Sequence, residues 1–140
     1  MTRQRIIAVV ALAAILLAAC GGSGSSSSTK TSTSSRPSTT ARLEIVQPTA
    51  NQVTGPDITV VLNVIGGQVV SRTAGALSPT QGHIHVSIDG KLVTMAYGTT
   101  QELHGLTPGT HTLQAEFVAI DHAPFRNRAV ASVLFTVKQP

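Results

Sequence analysis

Gly82-His83-Ile84-His85-Val86-Ser87-Ile88-Asp89-Gly90-Lys91-Leu92-Val93-Thr94-Met95 is the stretch from which the architecture of the chain is read. Ile84, Val86 and Ile88 alternate with His83, His85, Ser87 and Asp89, and a period of two puts the first set on the core face of a strand and the second on the opposite face. Asp89-Gly90 is a two-residue turn signal, because both central positions of a type I′ turn need positive φ. The chain is therefore expected to fold back as a hairpin into a strand over 92–95.

Outward from this hairpin the same alternation recurs. Leu43 and Ile45 open a first strand that ends at Gln47-Pro48. Ile58, Val60, Leu62 and Val64 mark a second; Leu113, Ala115, Phe117 and Ala119 a later one; Ala131, Val133, Phe135 and Val137 the last. Helical periodicity is missing from all of them. With short strands at 92–95 and 101–103 the count is about seven, as expected of an all-β immunoglobulin-like or fibronectin III-like β-sandwich. A segment of this size buries roughly two thirds of its unfolded surface and can fold by itself.

Leu106-Thr107-Pro108-Gly109-Thr110-His111-Thr112-Leu113 resembles the Leu-x-Pro-Gly-x-Tyr corner of such domains, where a ring entering a strand bonds back to the turn. His111 stands in the aromatic position. It shares parity with Leu113, Ala115 and Phe117, so it is expected to point inward as part of a structural corner formed with Leu106, Pro108 and Gly109. Gly109 is expected to need positive φ, whereas replacing His83 is expected to leave stability nearly unchanged.

The N-terminal part reads differently. Arg3 and Arg5 precede an unbroken apolar run over 6–19, the form of a secretory signal and too short to span a bilayer comfortably. Leu17-Ala18-Ala19-Cys20 resembles the lipobox of bacterial lipoproteins. The resemblance implies cleavage before Cys20, diacylglycerol on its sulfur, and a lipid-anchored place on the extracytoplasmic face of a cell or outer membrane; two acyl chains anchor stably where one does not. Residues 21–41 are almost entirely Ser, Thr and Gly and are expected to form a disordered tether with a reach of roughly 25 Å, which also permits O-glycosylation. The division is then a signal peptide over 1–19, lipidated Cys20 with its tether over 20–41, and the sandwich over 42–140. Cys20 is the one cysteine, so no disulfide forms within the chain.

The net charge of +4 belongs to the N-terminal part. From residue 42 onward, Arg42, Arg72, Lys91, Arg126, Arg128 and Lys138 balance Glu44, Asp57, Asp89, Glu102, Glu116 and Asp121. A neutral domain whose aromatics are Tyr97, Phe117, Phe125 and Phe135 lacks the phosphate footprint and stacking platforms of a nucleic-acid binder. The expected partners are the membrane through Cys20 and an envelope protein or glycan.

His83 and His85 lie on one face of one strand, where two imidazoles can share a transition metal. A stable copper or zinc site needs a third ligand from His122, His104 or the thioether of Met95, and His122 in Asp121-His122-Ala123-Pro124 is the best placed. Surface histidines, or histidines hydrogen-bonded within loops, are the alternatives. The order Pro48, Gly82-His83-Ile84-His85, Leu106 to Gln114, then Asp121-His122-Ala123-Pro124 resembles a family of small exported bacterial domains of unknown function. In those domains a His-rich strand and a Leu-x-Pro-Gly-x-His-Thr-Leu corner precede an Asp-x-x-His-x-Pro or similar loop. Here Phe125-Arg126 follows Pro124 where such domains tend to carry another histidine.

Catalysis has little to stand on. His-x-His on a sandwich strand is similar to copper/zinc superoxide dismutase, yet five histidines, one of them structural, and no disulfide cannot furnish that enzyme's two-metal cluster. Serine is abundant only in the tether, and no Gly-x-Ser-x-Gly elbow occurs. The expectation is a non-enzymatic, lipid-anchored envelope module without a cofactor, with copper or zinc handling through His83, His85 and His122 as the alternative.

Overall fold

In the computed structural model, residues 35–139 are described; the expected signal peptide, Cys20 and most of the expected tether lie outside them. The strands are β1 (Arg42–Gln47), β2 (Val53–Thr54), β3 (Ile58–Ile65), β4 (Gln68–Val69), β5 (Gln81–Ile88), β6 (Lys91–Ala96), β7 (Thr100–Leu103), β8 (Gly109–Ala119) and β9 (Pro124–Val137). One sheet has the order β1-β3-β7, and the other runs β2-β9-β8-β5-β4 with β6 also paired to β5. Without the two-residue bridges β2 and β4, the first, second and fifth long strands form one sheet and the third, fourth, sixth and seventh the other. That division is the immunoglobulin-like and fibronectin III-like sandwich. The two bridges are parallel pairs too short to carry any periodicity in sequence.

The inward sets pack as expected. Leu43, Val60 and Leu62 from one sheet meet Ile84, Val86, Leu113, Phe117 and Phe135 from the other in one apolar cluster. Phe125 stacks on Phe117 with ring centroids 5.6 Å apart, so the residue following Pro124 belongs to the core. Asp89 and Gly90 have φ of 51° and 80°, the two positive values that a type I′ turn requires.

The corner is built as the sequence implies. Gly109 has φ of 136°, and His111 is buried with its ring 5.7 Å from that of Phe135. Its Nε2 lies 2.7 Å from the Thr107 carbonyl oxygen and its Nδ1 2.7 Å from an Asp89 carboxylate oxygen. Both partners accept, so the geometry fits the imidazolium form, in which both ring nitrogens donate. The Thr107 carbonyl, then Asp89, raise its pKa above the ordinary histidine value. Asp89 is held below the usual carboxylate range by the Thr112 backbone N–H and then by His111.

The sign of the pH effect follows. His111 binds its proton more tightly folded than unfolded, so its stabilisation is complete below about pH 6.5 and is lost as pH rises through its folded pKa. The contribution of Asp89 is present above about pH 3.9 and is lost only in acid. We expect His111→Gln to cost about 1–3 kcal/mol in urea unfolding at pH 6, and the gap from the wild type to narrow at pH 9. A gap that does not change with pH would contradict the charged corner.

One boundary moves. The tether was expected to run through Ala41, but the described part of it is already built into the domain. Arg126 N–H donates to the Pro37 carbonyl at 3.1 Å, Thr39 N–H donates to Asn127 Oδ1 at 2.7 Å, and Thr39 and Ala41 are buried. Composition could not mark this change, because Ser and Thr continue across it. What orders the segment is pairing of its backbone with the start of β9.

Candidate metal centre

His83 and His85 point away from the core, as alternation requires, since Ile84 between them is buried among apolar side chains. His83 is nevertheless fully buried. The expectation that it could be replaced with little effect is therefore corrected. His122 and Tyr97 cover it, their ring centroids 4.3 and 5.2 Å from its own, and its partner in register on β8, Val118, is buried as well.

The third histidine comes from the β8–β9 connection. His122 N–H donates to the Ala119 carbonyl at 3.0 Å, and Ala119 N–H donates to the Ala123 carbonyl at 3.1 Å. His122 itself has φ of 65°. This is a hairpin turn closed by a residue in the left-handed region, a position that usually belongs to glycine. A β-carbon there is strained by about 1 kcal/mol, and such strain collects where a side chain is used.

The three rings converge. Nε2 of His83 lies 3.2 Å from Nε2 of His85 and 2.9 Å from Nδ1 of His122, and one nitrogen from each of the three lies within 4.8 Å of the others. Three nitrogens at 2.0–2.1 Å from one tetrahedral ion stand about 3.3 Å apart, close to the two spacings made by His83 Nε2. The proton state suits the task. Burial first, then the neighbouring imidazoles, lowers His83 to about 4. Burial and His122 also lower His85, so both offer lone pairs at neutral pH.

The surroundings narrow the chemistry. Glu116, opposite His85 on β8, is held by Arg128 through contacts of 2.7 and 2.6 Å, which commits its carboxylate to an ion pair. Met95 lies opposite His85 on β6 with an exposed side chain. His104 stands apart from the trio, with its Nδ1 3.3 Å from Asp57 in an exposed pair. Nδ1 of His83 is buried without a hydrogen-bond partner. Ligating histidines normally pass that proton to an acceptor, which His83 lacks here.

The sequence pattern points to the trio but not to Arg36, whose surroundings read as tether by composition. Its guanidinium forms a two-point pair with Asp121, at 2.8 and 3.0 Å, beside His122. Arg36 lowers the Asp121 carboxyl to about 2.

Fold and site together define a β-sandwich of the immunoglobulin-like or fibronectin III-like class with three converging histidines beside its β8–β9 turn. No family model matches the chain, and no curated protein does. Two solved structures align with it. An endo-β-1,4-mannanase from Thermotoga petrophila gives a TM-score of 0.48 at 12% identity over 71% of this chain, which spans 20% of the mannanase. The fibronectin(III)-like modules of Clostridium thermocellum CbhA give 0.46 at 17% identity, over 69% of this chain and 94% of that one.

Proposed function

We propose that this protein is a non-enzymatic, lipid-anchored envelope module that holds one zinc or copper ion through His83, His85 and His122. The observation that carries the metal reading is the approach of three imidazole nitrogens from two separate elements to within 4.8 Å of one another. Their number and type suit zinc and copper(II), which take imidazole nitrogen readily, better than calcium or magnesium, which take oxygen. His122 supports the reading a second way, because a strained left-handed position is filled by an imidazole in place of glycine. Three ligands leave one coordination position open, suited to exchange of the ion with a partner or to a bound water. The envelope location rests on the lipobox-like Leu17-Ala18-Ala19-Cys20 and the apolar run before it.

Calorimetric titration of the full chain in detergent tests the site, with zinc and copper(II) each added at neutral pH. The wild type should bind one ion saturably, and the His83→Ala/His85→Ala variant should not. Equal binding by the two proteins, or none by the wild type, would overturn the assignment.

A further inference from the structure

The loop that carries His122 is held from outside its own hairpin. Arg36 precedes β1 and reaches across to donate four hydrogen bonds to three residues around His122. Its Nη1 and Nη2 meet the two Asp121 carboxylate oxygens at 2.8 and 3.0 Å, Nη2 also meets the Ala123 carbonyl at 2.8 Å, and Nε meets the Pro124 carbonyl at 2.6 Å. These acceptors bracket His122, one residue before it and two after it. Asp121 braces the turn further by accepting the Ala123 N–H at 3.2 Å.

We infer that Arg36 is a positioning residue for His122, which couples the stem of the tether to metal occupancy. This rests on the metal reading of the three histidines. The left-handed backbone at His122 gives the loop a reason to relax away from His83, and a planar fork with donors in fixed directions opposes that relaxation at several points. Lysine cannot substitute, since one ammonium cannot serve two carboxylate oxygens and two carbonyls in that geometry. Arg36 and Asp121 are about one-third exposed, where an ion pair adds little to global stability. The effect therefore falls on the placement of one ligand. Coupling is reciprocal: if the clamp tightens metal binding, bound metal must tighten the clamp.

The test uses the full chain in detergent with zinc alone, and compares the wild type with Arg36→Ala and Arg36→Lys. Zinc affinity should fall 10–100-fold in both variants, the range seen when support behind a ligand is removed, with one ion still bound per chain. The metal-free melting temperature should move by only a few degrees. In the wild type, zinc should also slow amide hydrogen exchange over residues 38–41, an effect that should vanish in Arg36→Ala. If Arg36→Ala does not fold, Arg36→Lys carries the same expectation. Unchanged affinity in a folded variant, or exchange over 38–41 indifferent to zinc, would overturn the coupling while leaving the metal site standing. Failure of the wild type to bind zinc would overturn both.

Discussion

Replacing Gly82 with alanine should lower stability by about 3 kcal/mol and weaken metal binding with it. Gly82 pairs with Ala119 at the start of β5, where β5 and β8 approach closely. A β-carbon on Gly82 would lie 1.9 Å from the Val118 carbonyl oxygen and 3.2 Å from a Phe117 ring carbon. Neither is the free end of a flexible side chain: the first is backbone within the sheet and the second belongs to the fully buried Phe117. Relief requires β5 to move off β8, at the upper end of overpacking costs and with ladder hydrogen bonds lost in addition. His83 is the next residue, so the shift reaches the proposed metal ligands directly. Chemical denaturation of Gly82→Ala measures the cost. A loss below about 1 kcal/mol would mean that the strands can separate here without penalty, contrary to the packing described.

His122→Gly should separate stability from binding. The substitution removes one of the three proposed ligands, and structural zinc sites gain about 3 kcal/mol per ligand, so affinity should fall roughly 100-fold. It also places in the left-handed position the residue that position favours, which offsets the lost packing on His83. Metal-free stability should therefore stay within about 1 kcal/mol of the wild type. His122→Ala loses the same imidazole but keeps a β-carbon at positive φ, and should be less stable than His122→Gly by about 1 kcal/mol. Titration and urea unfolding of the two variants read these separately. Equal stability of the alanine and glycine variants would remove the argument from strain, and undiminished affinity would remove His122 from the site.

Much of the architecture was legible because a sandwich strand repeats one physical rule. Ile84, Val86 and Ile88, or Leu113, Ala115 and Phe117, declare their face by alternation alone, and Asp89-Gly90 declares the turn between β5 and β6. The corner was legible too, since Pro108 and Gly109 fix the backbone that brings His111 against Thr107. Alternation also placed His83 and His85 side by side. It could not say that His83 would be covered, because burial of an outward side chain depends on what a distant loop lays over it. Here that loop brings His122 and the end of β6 brings Tyr97. The parallel bridges β2 and β4 were invisible for a related reason: two residues have no period, and their pairing is decided by neighbours far along the chain. Arg36 marks the limit of composition as a guide. A serine- and threonine-rich segment reads as unstructured on average, yet one arginine within hydrogen-bonding reach of Asp121, Ala123 and Pro124 is held by geometry that no count of residues encodes.

The most direct measurement is X-ray absorption at the zinc edge of the full chain loaded with one equivalent of zinc. The account predicts three imidazole nitrogens at about 2.0–2.1 Å, with the outer-shell scattering of histidine rings and one further light ligand. In His122→Gly one imidazole contribution should disappear. A shell of oxygen ligands alone, or an imidazole count that does not change in that variant, would contradict the three-histidine site.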